Sequence, residues 1–427
     1  MGDFLLIVLV LCLLLAFGFP VAFALGIGGA LGLLVTGQPL DIVPEVLYSA
    51  VENFVLLAIP LFVLMSRILV KSGLSDELFD LVNSFMQHRR GGMAAGAVLC
   101  CAFFAAISGS SVTNAAAVGL VAIPALINRG YPKEFAAGLV AAGGTLGILI
   151  PPSIPFIIYG AITDQSVGRL FMAGIVPGLM LTAMLVIYAL LVSRIRRYGT
   201  TTEAVPWGQR LQLLTRNMPL LSLPVLILGG IYSGVFTPTE AAAAALVLTV
   251  VLAAGYYRRL TWKQFWEATR ESVNVSVMIF AIVAGAKLFG HVSTTMQIPQ
   301  AFAAWIQASN VTPFEFIAAT MVLLIFLGDF LDPVSIILIV VPVLLPAMVA
   351  LEIDPIWFGV LLVINMELAN ITPPIGLNLF VIQSIQKDIA YHEVLRGTIP
   401  FMFVIVAALL LVWWQPQLAT WLPMQTR

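Results

Sequence analysis

Apolar runs long enough to cross a hydrocarbon layer recur from Phe4 almost to the C-terminus of this 427-residue chain, separated only by short polar breaks. A bilayer core about 30 Å thick takes about 20 helical residues to span, and backbone exposed to lipid must satisfy its own hydrogen bonds. A chain so patterned is confined to a helical membrane fold. Composition agrees, since 61% of the residues are hydrophobic and 10% are charged, against about 25% charged in an average soluble domain. The expected fold class is therefore an all-α polytopic membrane protein. Spanning helices are predicted near 4–17, 20–36, 54–70, 133–161, 170–193, 217–234, 238–257, 275–292, 355–384 and 398–415.

Two further apolar stretches, 91–128 and 313–350, are interrupted at the middle by Ser108-Gly109-Ser110-Ser111 and by Gly328-Asp329-Phe330-Leu331-Asp332-Pro333. Each arm is about 15 residues, or about 22 Å at 1.5 Å per residue, short for a spanning helix. Re-entrant hairpins are the expectation. With the hairpins not crossing, each half crosses the membrane an odd number of times, and homologous halves must point in opposite directions.

The positive-inside rule bears on this directly. With the N-terminus outside, all 20 Lys and Arg except Arg169, Lys287 and Arg427 fall inside, that is 17, while Asp41, Glu45, Glu52, Glu240, Glu352 and Asp354 fall in outer loops. Both termini are then periplasmic. A shift of 222 places Pro124 on Pro346, Pro151 on Pro373, Pro152 on Pro374 and Ser110 on Asp332; a shift of 221 places Asn53 on Asn274.

The expected division is a first inverted repeat over 1–197, a cytoplasmic linker over 198–216 and a second repeat over 217–427. The first holds scaffold helices over about 1–70, an amphipathic arm over 75–88 with Ser75 as N-cap, the hairpin 91–128, a broken helix 133–161 and a helix 170–193. The second holds scaffold helices 217–292, an arm 298–309, the hairpin 313–350, a broken helix 355–384 and a helix 398–415. The first apolar run follows Asp3 and lacks a small-residue cleavage pattern, so a retained helix is expected there, not a signal peptide.

The chemistry concentrates at the breaks. The first reads Gly143-Gly144-Thr145-Leu146-Gly147-Ile148-Leu149-Ile150-Pro151-Pro152-Ser153, and the second Ala369-Asn370-Ile371-Thr372-Pro373-Pro374-Ile375-Gly376-Leu377-Asn378. Paired prolines remove two amide donors and disfavour helical geometry before them, which frees carbonyls about one turn earlier. Free carbonyls with nearby hydroxyl and amide oxygens suit a hard cation such as Na⁺, and half-helix N-termini suit a carboxylate. Interrupted segments at matching places in two halves point to a secondary transporter's midplane site. A carboxylate near the bilayer centre costs about 2.5–3.5 kcal/mol on the mildest scale, which singles out Asp329, Asp332 and Glu367 for cation binding or substrate coupling. Lys287 is either their counter-ion or a snorkelling residue.

Several classes are excluded by what the chain lacks. It has no G-x-x-x-x-G-K-[ST] phosphate loop and no H-E-x-x-H, and His88, His291 and His392 are dispersed, so neither nucleotide hydrolysis nor another enzyme activity is expected. Cys12, Cys100 and Cys101 have no metal-ligand spacing and read as packing residues. A net charge of −1 offers nothing to nucleic acid.

Phe104-Ala105-Ala106-Ile107-Ser108-Gly109-Ser110-Ser111, Gly147-Ile148-Leu149-Ile150-Pro151-Pro152-Ser153, Gly328-Asp329-Phe330-Leu331-Asp332-Pro333 and Asn370-Ile371-Thr372-Pro373-Pro374-Ile375-Gly376, in this order, resemble the large membrane subunit of the tripartite ATP-independent periplasmic (TRAP) transporters. The resemblance covers essentially the whole chain. It implies an Na⁺-driven importer of small organic acids such as a C4-dicarboxylate or sialic acid, in a bacterial inner membrane, with an elevator-type ion-transporter-like fold. It also implies two partners, a small four-helix TRAP membrane subunit and a periplasmic substrate-binding protein, besides membrane lipid.

Carried onto this chain, the resemblance implies a first Na⁺ site at Ser108, Ser110, Asn114, Gly143, Gly144, Thr145 and Gly147. A second is implied at Gly328, Asp329, Asp332, Ser335, Ala369, Asn370 and Thr372. The substrate carboxylate is implied near Ser110, Ser111, Pro151, Ser153, Thr372 and Pro373. A self-sufficient Na⁺/dicarboxylate symporter is the alternative reading.

Overall fold

The computed structural model describes residues 2–201 and 203–425; Thr202, in the expected linker, and Arg427, counted with the outer basic residues, lie outside them. The first series of helices runs α1 (Gly2–Ala16), α2 (Val21–Val35), α3 (Val43–Val51), α4 (Ala58–Lys71), α5 (Leu74–Met86), α6 (Gly92–Ser108), α7 (Ser111–Asn128), α8 (Lys133–Thr145), α9 (Ile154–Thr163) and α10 (Val167–Ile195). The second runs α11 (Trp207–Tyr232), α12 (Pro238–Val250, continued as a π-helix over Val251–Tyr256), α13 (Trp262–Thr295), α14 (Ile298–Ala308), α15 (Pro313–Gly328) and α16 (Pro333–Ala350). It ends with α17 (Pro355–Ala369), α18 (Leu377–Ile385), α19 (Tyr391–Trp414) and α20 (Gln417–Gln425). Among the described residues, eight helical stretches are long and apolar enough to cross a membrane. Large apolar side chains such as Leu5, Val225, Val277 and Phe403 face outward, as a lipid-facing surface requires.

Helices α2 and α13 pack in parallel along a glycine seam. A Cβ on Gly29 would overlap Leu288 and one on Gly32 would overlap Val292, while Gly285 faces the Ala22 carbonyl. Small residues let two helix backbones approach closely where there is no hydrophobic force between helices in lipid. Helix α4 runs against α13 in the opposite sense, because Arg67 pairs with Glu271 at 3.4 Å and Lys71 with Glu267 at 3.6 Å and Glu271 at 2.8 Å, joining the end of α4 to the start of α13. At the same end Glu77 of α5 receives both Arg216 of α11, at 3.0 Å, and Arg259.

Several boundaries differ from the sequence expectation. Helix α11 begins at Trp207, inside the expected linker, which leaves only 196–206 between the series. Its polar first turns hide it from hydropathy, yet Arg210 is buried with its guanidinium 5.1 Å from the Trp207 ring and 5.7 Å from Phe85. Helix α13 starts at Trp262 instead of 275, because Thr261 and Gln264 form a capping box. Helices α3 and α20 are additional.

The cap of α5 is Gly73, in the left-handed region at φ 67°, and not Ser75. The Ser72 hydroxyl donates back to Ile68 O at 2.7 Å, so the chain turns before Ser75 is reached. The arms α6, α7, α15 and α16 have 17, 18, 16 and 18 residues, longer than the 15 or so expected. Cys100 and Cys101 are buried, but Cys12 is exposed and does not pack in the core.

Candidate functional site

Both interrupted helices stop where the paired prolines stand. Helix α8 ends at Thr145, a 3-10 turn covers Leu146–Ile148, and α9 restarts at Ile154 with Ser153 as N-cap, its side chain accepting from Phe156 N. Helix α17 ends at Ala369, and α18 restarts at Leu377 after Gly376 in the left-handed region at φ 54°. Each helix–turn–helix unit meets one of these breaks.

The first junction is buried and built on small residues. Gly109, left-handed at φ 65°, turns the chain between α6 and α7, and its carbonyl accepts from Ile154 N at 3.2 Å. A Cβ on Gly147 would stand 2.5 Å from the Ser110 carbonyl oxygen, and one on Gly144 2.6 Å from the Ala115 Cβ. Asn114 bridges the tip and the break, with its amide donating to Cys101 O at 3.1 Å and Gly144 O at 3.2 Å. Asn114 Oδ1 and the Ser108 hydroxyl are buried without a protein partner. Asn114, Gly144 and Gly147 are thus brought together with half-buried Ser110, which caps α7 by accepting from Thr113 N at 3.4 Å, and Gly143 lies against Cys101 beside them. The Thr145 hydroxyl is spent locally, donating to Ala142 O at 2.7 Å.

The second junction is more open. Gly328 lies against the Ala369 methyl so closely that a Cβ there would overlap it. Asp332 caps α16 by accepting from Val334 N at 3.0 Å and Ser335 N at 3.3 Å, and its other oxygen takes the Ser335 hydroxyl. Asn370 O accepts from Asn378 N at 3.0 Å, and the Thr372 hydroxyl donates to Leu368 O at 2.7 Å. Asp329 Oδ1, Asn365 Oδ1 and both oxygens of the fully buried Glu367 have no protein partner. Pro151 and Pro152 are buried, whereas Pro373 and Pro374 are exposed, so the two breaks differ in access.

The residue that joins the two junctions was not singled out in the sequence. Asn378, buried at the start of α18, accepts from the Ser111 hydroxyl at 2.9 Å and donates to Ala141 O at 3.0 Å. Its place after the second Pro-Pro was the only available signal. Among the candidate substrate residues, Ser111 is therefore tied across the halves, while the Ser153 hydroxyl turns back on Ile148 O. A cavity of about 460 Å³ lies apart from these residues, between α3, α9, α13 and α16, and Lys287 lines it.

What this arrangement supplies is oxygen. Buried carboxylate, amide and hydroxyl acceptors without partners, close to interrupted helices, match the donor set of a hard monovalent cation. No group of three or more His, Cys, Asp or Glu able to hold a metal occurs among the described residues.

Comparison with solved structures gives the fold. The structure is similar over 100% of this chain and 99% of the other to the YdaH transporter of Alcanivorax borkumensis, at a TM-score of 0.63 and 15% identity. It is similar over 90% of this chain and 83% of the other to MtrF of Neisseria gonorrhoeae, at 0.63 and 13%. In sequence, the chain is 40% identical to the C4-dicarboxylate TRAP transporter large permease protein DctM of Pseudomonas aeruginosa, over 94% of this chain and 93% of that protein. It is 33% identical to the sialic acid TRAP transporter large permease protein SiaM of Vibrio cholerae, over 96% of both. Residues 8–418 match the family model described as the tripartite ATP-independent periplasmic transporter, DctM component. The chain, a multi-helix membrane protein with two interrupted helices meeting two helix–turn–helix tips, therefore belongs to the DctM family of TRAP transporter large permeases.

Proposed function

We propose that this chain is the transport subunit of an Na⁺-coupled importer of small organic acids in a bacterial inner membrane. It would work with a small membrane subunit and a periplasmic substrate-binding protein. The observation that carries the reading is the close, small-residue contact of each helix–turn–helix tip with its broken helix, beside oxygen acceptors that no protein donor uses: the Ser108 hydroxyl and Asn114 Oδ1 at the first, Asp329 Oδ1 and Glu367 at the second. Relatives named for C4-dicarboxylate, sialic acid and 2,3-diketo-L-gulonate support a carboxylate substrate.

The Ser108, Asn114 and Gly143–Gly147 set is assigned to one Na⁺. The Gly328–Ser335 and Ala369–Thr372 set, with Asp329 and Asp332, is assigned to a second. Cation charge held beside the tips lets an anionic substrate bind there at lower cost, which couples the two. The tips are assigned as re-entrant, because Ser110 meets Gly147 and Gly328 meets Ala369 at the interruptions of the broken helices and not at their outer ends. The antiparallel pairing of α4 with its repeat counterpart α13 supports two inverted halves. The glycine-seamed α2 and α13 are assigned to a fixed scaffold past which the two junctions move as an elevator.

Reconstitution tests this. The chain, its small membrane subunit and its binding protein in proteoliposomes should accumulate a carboxylate such as succinate or sialic acid only under an inward Na⁺ gradient and only with all three present. Uptake by the chain alone would instead establish a self-sufficient symporter, and Na⁺-independent uptake would remove the coupling.

A further inference from the structure

The cavity between α3, α9, α13 and α16, about 460 Å³ in volume, is not part of either junction. Its position is defined by Ser49 and Asn53 near the end of α3, Ile158 and Asp164 on and just after α9, Lys287 and His291 on α13, and Leu338 and Pro342 on α16. It thus opens at the end of the helices opposite to the Lys71–Glu271 pair.

Its polar lining is dominated by donors. Lys287 and His291 are four apart on a helix and share a face, and Lys287 makes no ion pair among the described residues. The Asn53 side-chain oxygen is engaged with Val55 N at 3.0 Å, which leaves its amide hydrogens directed elsewhere. One acid, the exposed Asp164, stands with them. An ammonium on a membrane-length helix costs less when a water-filled cavity solvates it than when lipid surrounds it. Such a position attracts anions. Ile158, Leu338 and Pro342 supply an apolar wall, and the volume lies within the range of small-ligand pockets.

We infer that this cavity is a second, outer binding site for the organic acid, in which Lys287 takes the carboxylate and His291 and Asn53 donate to it before the acid reaches the tips. The inference rests on the proposed carboxylate substrate and on this end facing the periplasm. It deepens that reading by giving the anion a staging point on the α13 wall, lined by none of the tip residues. Lys287 is neither a counter-ion to Asp329 or Asp332 nor a lipid anchor in this assignment.

A labelling experiment on the full chain in membrane vesicles tests the site without requiring transport. With Cys12→Ser to remove the exposed native thiol, Ser49→Cys places a reporter on the cavity wall. The probes are the negatively charged sulfonatoethyl and the positively charged trimethylammonioethyl methanethiosulfonates. At low ionic strength, removing a unit charge within about one Debye length of the reporter should change the anionic-to-cationic rate ratio severalfold, so K287Q should lower the ratio by that factor and K287R should keep it. Succinate at millimolar concentration should slow labelling with Lys287 present and not in K287Q. An unchanged ratio in K287Q, or protection that survives K287Q, overturns the assignment, and equal protection by chloride overturns its carboxylate specificity. Failure of wild-type uptake in proteoliposomes would strike the transport reading alone, because labelling needs no turnover.

Discussion

Ser111 and Asn378 are 267 positions apart, and the Ser111 hydroxyl donates a 2.9 Å hydrogen bond to Asn378 Oδ1. The Asn378 amide continues to Ala141 O, so one side chain holds α7, α8 and α18 together inside the protein. Breaking a buried bond and leaving its partner unsatisfied costs about 1–3 kcal/mol. Asn378→Ala should lower thermal stability by that order in detergent, and Ser111→Ala by less. The double variant should lose less than the sum, because both delete one shared bond. Strictly additive losses would show that the contact carries no coupling.

Asp332 separates capping from charge. Asn caps a helix about as well as Asp, so Asp332→Asn should keep the α16 cap and change stability by less than about 0.5 kcal/mol. If the carboxylate helps hold Na⁺, the concentration for half-maximal activation should rise roughly tenfold, corresponding to about 1.4 kcal/mol. Na⁺ titration of uptake by Asp332→Asn provides the measurement; an unaltered curve removes Asp332 from coupling.

Gly328 faces the Ala369 methyl at the second junction. Gly328→Ala overpacks this contact and should cost about 1–3 kcal/mol together with most of the uptake. Adding Ala369→Gly restores the space, and both losses should be largely recovered. Uptake that stays lost in the repaired pair would mean that Gly328 is needed for something other than closeness.

Glu77 is nearly buried and serves Arg216 and Arg259, which are themselves partly exposed, at side-chain accessibilities of 52% and 39%. Water solvates the two guanidinium groups when the carboxylate is removed, which limits the damage. Glu77→Gln should cost about 1–2 kcal/mol, and 0.5 M salt should narrow its gap from the wild type. Melting curves at low and high salt decide between this and an uncharged hydrogen-bonding role, for which the gap would not move.

The helical breaks were legible because their cause is local. Pro151-Pro152 and Pro373-Pro374 cannot supply the donors that a helix needs, whatever surrounds them. Helices α2 and α13 were legible as apolar runs, but not their parallel contact, since nothing near Gly29 or Gly32 in the chain names Leu288 or Val292. The start of α11 was lost because Arg210 reads as a solvated residue until Trp207 and Phe85 enclose it. Asn378 was overlooked for the same reason as Glu77: both are polar residues whose importance lies in a partner that folding brings from more than a hundred positions away. Lys287 looked ambiguous in the chain because its alternatives, a carboxylate, lipid or a cavity, differ only in what faces it.

The glycine seam between α2 and α13 also fixes how this protein meets its bilayer. Sliding either helix along the other would drive Leu288 or Val292 into a backbone, so the pair has one axial register and one apolar height. In a thinner or thicker membrane neither helix can adjust by itself. The two must lean together or the surrounding lipid must stretch or compress, and the cost of hydrophobic mismatch falls on the pair as a unit.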